Sequence, residues 1–301
     1  MKLYIHPKSK LCSQELEFSL YEKYVPLTRI NILKHINRTT NIEDSDYIFL
    51  GQICEGQQIS QEFVDLCNKY KRKVIVDIEG DFGSSLFHSC FKQVTTCAGG
   101  PDKTWGLENC FVRPHLSKVL IELYEQEYSS KHTSEKSINF FFQGQVNVLN
   151  RVKMIESFVE SKIENIVFKL QPTWGANKSV KDSDYCQTMS DNLLSLCPRG
   201  VGGSSIRLYE SCYFGCVPIV LGCDRMMAED YYDTSFAFKL EDYNNKNEIL
   251  KLIKIINQTD KQSLIERGLK AKKYYNDIVK PYLTDPMSEF INWLQRNEKC
   301  K

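Results

Sequence analysis

The chain has 301 residues, 42% of them hydrophobic and 12% aromatic, and its formal net charge is +1. This length is enough for two domains with sizeable cores. The aromatic content excludes a disordered chain, and the nearly neutral charge argues against a dedicated nucleic-acid binder, which would carry a basic excess.

No targeting or membrane segment is recognisable in the sequence. No stretch approaches the ~20 apolar residues that cross a bilayer, and the apolar run within Met1–Pro7 is too short for a signal peptide. The twelve cysteines lack the C-x-x-C pairs of a zinc site, so we expect reduced thiols. These features predict a soluble, cytoplasmic protein without a membrane span.

The first part of the chain alternates between strand and helix patterns. Short apolar runs predict four strands. Apolar residues on one face predict a first helix between them, and a capping serine predicts a second. In chain order the predicted elements are a strand at Lys2–His6, a helix at Ser13–Tyr24, a strand at Tyr47–Gly51, a helix that Ser60 caps and that ends at Tyr70, and strands at Lys73–Asp77 and Cys110–Pro114. This rhythm indicates a doubly wound sheet.

A polar, charged stretch between Tyr124 and Ser137 predicts a domain boundary. A second series of alternating elements follows it, and the chain becomes helical after Lys246. The predicted elements are strands at Ile138–Phe142, Asn165–Leu170, Asn192–Cys197 and Val217–Leu221, and helices at Asn150–Ser161, Ser204–Phe214, Glu248–Asn257, Lys261–Tyr275 and Pro286–Arg296. We therefore predict an α/β protein with two Rossmann-like domains, residues 1–133 and 134–301, facing a ligand cleft. The last helices are expected to pack back across the first domain.

A glycine-rich loop between a strand and a helix is the most informative motif. The strand Asn192–Cys197 leads into Arg199, Gly200 and two further glycines, and Ser204 and Ser205 open the next helix. Such a loop lets backbone N–H groups and the positive end of a helix approach a phosphate. Arg199 and Arg207 add positive charge for a diphosphate. The pattern alone is equally compatible with an ordinary turn that carries a surface arginine.

The same segment resembles the exostosin family, glycosyltransferase family 47. The matching residues are Tyr185–Met189, Leu196–Gly200, Ser205 with Arg207 and Glu210, and Gly215–Val220. Phe140–Gly144 with Arg151 resembles the element that opens the family's second domain, and Asn41–Leu50 resembles a strand entry in its first. The resemblance touches most of the chain and is strongest from Tyr185 to Val220.

The resemblance implies a GT-B fold and an inverting glycosyltransferase. It would move a hexose or pentose from a nucleoside-diphosphate sugar, expected to be UDP-linked, to a hydroxyl of a carbohydrate or glycoconjugate. The donor site implied by the resemblance and by the loop comprises Gly144, Arg151, Arg199, Gly200, Ser204, Ser205, Arg207 and Glu210. Glu210 would accept hydrogen bonds from the ribose, and arginines would take the place of a metal ion at the diphosphate. Relatives are mostly membrane-anchored, so the resemblance suggests either a minimal, soluble member or one that works outside the secretory pathway, for example a virus-encoded one.

An acidic cluster after the strand Lys73–Asp77 provides candidates for the catalytic base. The family usually has His-Asp-x-Gly here, whereas this chain keeps Asp81 and Gly83 and has Gly80 at the histidine position. Asp81 is the first candidate and Glu79 the second. Two other interpretations remain open, namely a non-catalytic nucleotide-sugar or glycan-binding protein and a metal-dependent GT-A transferase built around Asp77 and Glu79.

Overall fold

The computed structural model divides the chain into two compact units, Met1–Arg113 with Pro281–Lys301 and Pro114–Lys280. It describes residues 2–5, 37–54, 60–70, 74–79, 95–98, 110–112, 114, 117–146, 148–171, 183–199, 205–222 and 225–299. The division at Arg113 precedes the predicted boundary after residue 133. The helix that starts at Lys118 packs on the later helix Arg207–Phe214 of the second unit, which explains the difference.

The first unit is built on a parallel sheet of six strands. The strands are β1 (Lys2–Ile5), β2 (Asn37–Thr39), β3 (Tyr47–Cys54), β4 (Val74–Glu79), β5 (Thr95–Ala98) and β6 (Cys110–Val112), in the order β2-β1-β3-β4-β5-β6. Helix α1 (Gln61–Tyr70) begins after Ser60, whose hydroxyl accepts a hydrogen bond from the Phe63 N–H at 3.2 Å. This confirms the predicted cap.

The C-terminal segment belongs to the first unit. Helix α9 (Pro286–Lys299) and the end of α8 (Lys280–Thr284) bring Tyr282, Phe290 and Trp293 around the ring of Phe111. The three ring centroids lie 5.3 to 6.1 Å from that of Phe111, in tilted or edge-to-face arrangements that favour aromatic packing.

The second unit contains a parallel sheet of five strands. The strands are β7 (Ser137–Gln145), β8 (Ile166–Gln171), β9 (Asn192–Pro198), β10 (Val217–Leu221) and β11 (Phe238–Leu240), in the order β11-β10-β9-β7-β8. The helices are α2 (Lys118–Gln126), α3 (Leu149–Ser161), α4 (Ser183–Asp191), α5 (Arg207–Phe214), α6 (Lys246–Gln258) and α7 (Lys261–Tyr274), and a π-helical segment, Tyr275–Val279, joins α7 to α8.

Alternating side chains of β7 show that helices cover both faces of this sheet. Phe140 packs edge-to-face on Phe158 of α3 with ring centroids 5.0 Å apart. The next residue, Phe141, points to the opposite face and lies 6.2 Å from Tyr185 of α4. Successive residues of a strand face opposite sides of the sheet. Because helices bury both sides here, the strand needs apolar residues at consecutive positions, and this continuous apolar run is the pattern that predicted it.

The described residues confirm the α/β class and the two parallel-sheet units. Most predicted strands and helices agree with the structure within a few residues, and β10 agrees at both ends. The helix predicted at Ser13–Tyr24 lies outside the described residues. Elements that the sequence analysis did not predict are β2, β5, β11, α2, α4 and α8. Every helix among the described residues is too short or too polar to cross a membrane. The GT-B arrangement of the two units stays a prediction.

Candidate anion-binding site

The second unit has a topological switch point between β7 and β9. From β7 the chain continues to β8 on one side and, through α4, to β9 on the other. Residue pairing between β7 and β9 reaches Phe141 and Ser195, although both strands continue beyond that point. In open α/β sheets, ligands bind at the carboxyl ends of strands that flank such a point.

Arg207 occupies the opening between these two strands. Its Nη1 donates to the Leu196 carbonyl of β9 at 3.3 Å, and its Nη2 donates to the Gln143 carbonyl of β7. The guanidinium also lies 4.7 Å from the centroid of the Phe142 ring. Arg207 is 8% exposed. The side chain therefore replaces the missing backbone pairing and places a positive charge between the strand ends.

Arg151 of α3 adds a second guanidinium to the site. It lies 6.0 Å from the centroid of the same Phe142 ring, and its Nη1 donates to the Gln145 carbonyl at 2.9 Å. Burial and the charge of Arg207 lower the pKa of Arg151 to about 10. Two like charges held together in a partly buried position favour an anion as ligand.

Gly144 allows Arg207 to approach β7 closely. A Cβ atom at this position would lie 3.2 Å from the Arg207 Nη2 and 3.2 Å from the Phe142 ring. A larger side chain would therefore press on the groups that form the site. The structure thus brings together Gly144, Arg151 and Arg207, which the sequence analysis had assigned to one site.

Glu210 lies one turn after Arg207 and is 1% exposed. Its Oε1 accepts a hydrogen bond from the Ser117 hydroxyl at 2.5 Å, and its Oε2 accepts one from the Tyr185 hydroxyl at 2.5 Å. Ser117 also caps α2 by accepting from the Leu120 N–H at 2.9 Å. The carboxylate is thus engaged inside the unit, whereas the sequence analysis had assigned it to a bound ribose. That assignment stays a prediction.

Tyr185 interacts with both Arg207 and Glu210. Burial lowers the pKa of Arg207, but its interactions with Tyr185, Cys197 and Glu210 outweigh burial, and the net direction is upward. Burial and the Glu210 charge raise the pKa of Tyr185 well above its ordinary value. Arg207 is therefore protonated and Tyr185 is a neutral hydroxyl at physiological pH.

The other predicted donor-site residues are partly described. Arg199 follows β9, and its guanidinium lies 5.8 Å from the Tyr243 ring centroid. Ser205 is buried ahead of α5, where its carbonyl accepts from the Leu208 N–H at 3.1 Å. Gly200 and Ser204 lie outside the described residues, so the shape of the glycine-rich loop stays a prediction.

The predicted catalytic carboxylates belong to the first unit. The backbone of Glu79 ends β4, where it pairs with Cys54 of β3, and Asp81 lies outside the described residues. Within the part of the chain that the structure describes, no group of three His, Cys, Asp or Glu side chains could hold a metal ion. Both the identity of the base and the independence from metal stay predictions.

The sequence analysis missed three polar residues of the site: Ser117, Tyr185 and Gln143. Tyr185 and Gln143 stood within quoted motifs but had no assigned role, and Ser117 is separated from Glu210 by 93 residues. Gln143 is buried, and its side-chain carbonyl accepts no hydrogen bond from the described residues.

Gln143 provides a test of whether this position serves stability. An unpaired buried carbonyl costs about 1–3 kcal/mol of folding free energy. We expect Gln143→Met, which preserves side-chain length, to keep or raise the melting temperature measured by calorimetry. Gln187→Met is the matched control, because Gln187 is exposed and its amide donates to Asp191 at 3.1 Å. A melting temperature several degrees lower for Gln143→Met alone would contradict the expectation.

The fold defines an α/β protein with a Rossmann-like second unit, and two arginines form a candidate anion-binding site at its switch point. No protein-family model matches the chain, and no curated protein matches its sequence. Solved structures with some similarity include TarM of S. aureus with fondaparinux, α-GlcNAc-glycerol and UDP, an α1,3-fucosyltransferase, and a GtfA/B complex.

The similarity to these structures is low. The TarM structure has a TM-score of 0.39 and 11% identity over 77% of this chain. The fucosyltransferase has a TM-score of 0.39 and 12% identity over 89%, and the GtfA/B complex has a TM-score of 0.40 and 9% identity over 80%. This chain spans 58% of the TarM chain, 80% of the fucosyltransferase and 61% of the GtfA/B chain.

Proposed function

We propose that the protein is a glycosyltransferase that uses a nucleoside-diphosphate sugar, most simply a UDP-sugar, and that it is related to the exostosin family. The observation that carries this proposal is the pair Arg151 and Arg207 at the carboxyl ends of β7 and β9. These residues belong to the motifs that resemble the family, and they occupy the position where a doubly wound sheet binds its ligand.

The proposed chemistry explains why two arginines are placed there. Glycosyl transfer passes through an oxocarbenium-like transition state while negative charge develops on the departing diphosphate. Fixed positive charge at that point stabilises the transition state more than the ground state. Arg151 is half-buried and within reach of a ligand at the edge of the site, whereas Arg207 lies deeper and acts mainly through its field.

Apolar surface near the strand ends supports a nucleotide rather than an inorganic anion as ligand. Leu170 of β8 pairs in register with Gly144 and is 51% exposed, and Ile206, directly before Arg207, is 38% exposed. Exposed apolar side chains beside a charged site can pack against a flat organic group. We propose that they contact the nucleoside, and that Arg199 and the loop with Gly200, Ser204 and Ser205 contribute to the diphosphate site.

The remaining parts of the reaction follow the sequence analysis. We propose that the transfer inverts the anomeric carbon, that the first unit binds a carbohydrate or glycoconjugate acceptor, and that Asp81 or Glu79 removes the proton from its hydroxyl. These assignments rest on the resemblance and on the position of the carboxylates at or after the end of β4.

A thermal-shift and calorimetric screen of nucleoside-diphosphate sugars tests the proposed function. A ligand that binds only the folded state raises the free energy of unfolding and with it the melting temperature. At a ligand concentration of a hundred times Kd, the free energy of unfolding rises by about 2.7 kcal/mol. We expect UDP and at least one UDP-sugar to stabilise the protein and to compete for one site. Failure of every nucleoside diphosphate and its sugars to bind would overturn the proposal.

Chelation distinguishes this mechanism from a metal-dependent one. If arginines and the α5 N-terminus neutralise the leaving group, a divalent ion is dispensable. We expect donor hydrolysis and transfer to retain at least half of their rates in excess EDTA. A complete loss that Mg²⁺ or Mn²⁺ restores would instead favour the alternative built around Asp77 and Glu79.

A further inference from the structure

Among the side chains that the structure describes, Glu210 is the single buried carboxylate, whereas two arginines share the neighbouring site. An isolated charge is costly to bury, and an opposite charge nearby offsets that cost. Glu210 raises the pKa of Arg207 by its charge, and Tyr185 hydrogen-bonds to both residues. The carboxylate is therefore placed to balance the charge of Arg207 whether or not a ligand is bound.

We propose that Glu210 is the internal counter-charge of Arg207 and limits the strength of the anion site, instead of binding the ribose. The inference deepens the proposed function and rests on it for the identity of the ligand. Ser117 and Tyr185 act as positioning residues, because each donates to one oxygen of the carboxylate. With both oxygens engaged by buried hydroxyls of the protein, the carboxylate is held away from the ligand and acts through its charge.

The two roles of Glu210 predict effects of opposite sign. A counter-charge weakens the attraction of the site for an anion, so Glu210→Gln should bind inorganic diphosphate and UDP about three- to tenfold more tightly. A ribose ligand would behave differently, since Glu210→Gln would weaken UDP binding and leave inorganic diphosphate unchanged. Glutamine can still accept from one hydroxyl and donate to the other, so the substitution keeps the hydrogen-bond network.

Isothermal titration of inorganic diphosphate and UDP into the full chain provides the measurement. Glu164→Gln is the matched control, because Glu164 is exposed and precedes β8, at the opposite end of the sheet from the site. We expect tighter binding of both ligands by Glu210→Gln and unchanged binding by the control. Weaker or unchanged binding of inorganic diphosphate by a folded Glu210→Gln protein would overturn the inference.

Tyr185→Phe keeps the inference testable if Glu210→Gln does not fold. This variant retains the carboxylate charge but removes one of its donors and the link to Arg207. The less shielded carboxylate should then compete more strongly with the ligand, so we expect both ligands to bind severalfold more weakly and by the same factor. Unchanged affinity for both, or a loss confined to UDP, would overturn the inference.

The wild-type titrations separate this inference from the proposed function. If inorganic diphosphate binds and no nucleotide does, the proposed function is overturned. The counter-charge inference is then decided by the same comparison of wild type with Glu210→Gln, with diphosphate as the probe. Binding of UDP together with no gain in Glu210→Gln would overturn the inference alone. If neither ligand binds, both are overturned.

Discussion

Replacing Arg207 by methionine is expected to weaken the binding of UDP and inorganic diphosphate about ten- to a hundredfold. The change removes the charge at the strand ends and leaves the carbonyls of Gln143 and Leu196 without their donor. It also leaves Glu210 without its counter-charge, which costs about 3–5 kcal/mol of folding free energy. We therefore expect a large loss of both affinity and unfolding free energy, measured by titration and by urea denaturation.

Arg151→Met should separate affinity from stability. Because Arg151 is half-buried and lies beside a second guanidinium, its removal should weaken UDP and diphosphate about ten- to a hundredfold with little loss of unfolding free energy. Arg267→Met is the control, because Arg267 also stacks on a phenylalanine ring, at 4.3 Å from the Phe238 centroid, and donates to a carbonyl. Full UDP affinity in both folded arginine variants of the site would contradict the assignment.

Asp81→Asn is expected to lose about 100- to 10,000-fold in turnover while it retains UDP-sugar affinity. An inverting transfer needs one group to take the acceptor proton, and the amide cannot accept it. Glu79→Gln, at the end of β4, is the second variant to be measured. Turnover is measured as the release of UDP from the UDP-sugar in the presence of acceptor. Donor affinity is measured by titration of the UDP-sugar into the same preparation.

The control for the catalytic variants is Asp65→Asn, in α1 of the same unit. Asp65 accepts from the Gln61 amide at 2.9 Å on the exposed side of the helix, so its substitution should leave turnover unchanged. Near-normal turnover in both Asp81→Asn and Glu79→Gln would place the base elsewhere. His115, which directly follows the strand predicted at Cys110–Pro114, would then be the next residue to substitute.

The sequence predicted the elements of the second unit well because local patterns determine them. The continuous apolar runs of β7, β9 and β10 are typical of strands buried on both faces. The structure buries all of β9 and β10 and the centre of β7, where the apolar run lies. The amphipathic spacing of α6 likewise agrees with the buried side chains Ile249, Ile253 and Ile256. Short edge strands such as β2 and β11 lack such runs, which explains why they were missed.

The interior position of the Arg207–Glu210 pair could not be predicted from its spacing. The interval of three residues placed both side chains on one helix face, but it does not say whether that face meets solvent or protein. In the structure all eight residues of α5 are buried, an arrangement that leaves no polar face toward water. The partners Ser117 and Gln143 come from distant parts of the chain, so only the tertiary structure brings them together.

The packing of Phe111 against the C-terminal segment has a consequence for synthesis on the ribosome. The second unit is one continuous stretch, Pro114–Lys280, whereas the first needs residues from both ends of the chain. Domains usually complete in the order in which they emerge from the ribosome. Here the later-made unit can finish first, because the aromatic partners Phe290 and Trp293 emerge from the ribosome only after all of Pro114–Lys280. Until these two residues emerge, they cannot cover Phe111 and the β6 edge of its sheet on the nascent chain.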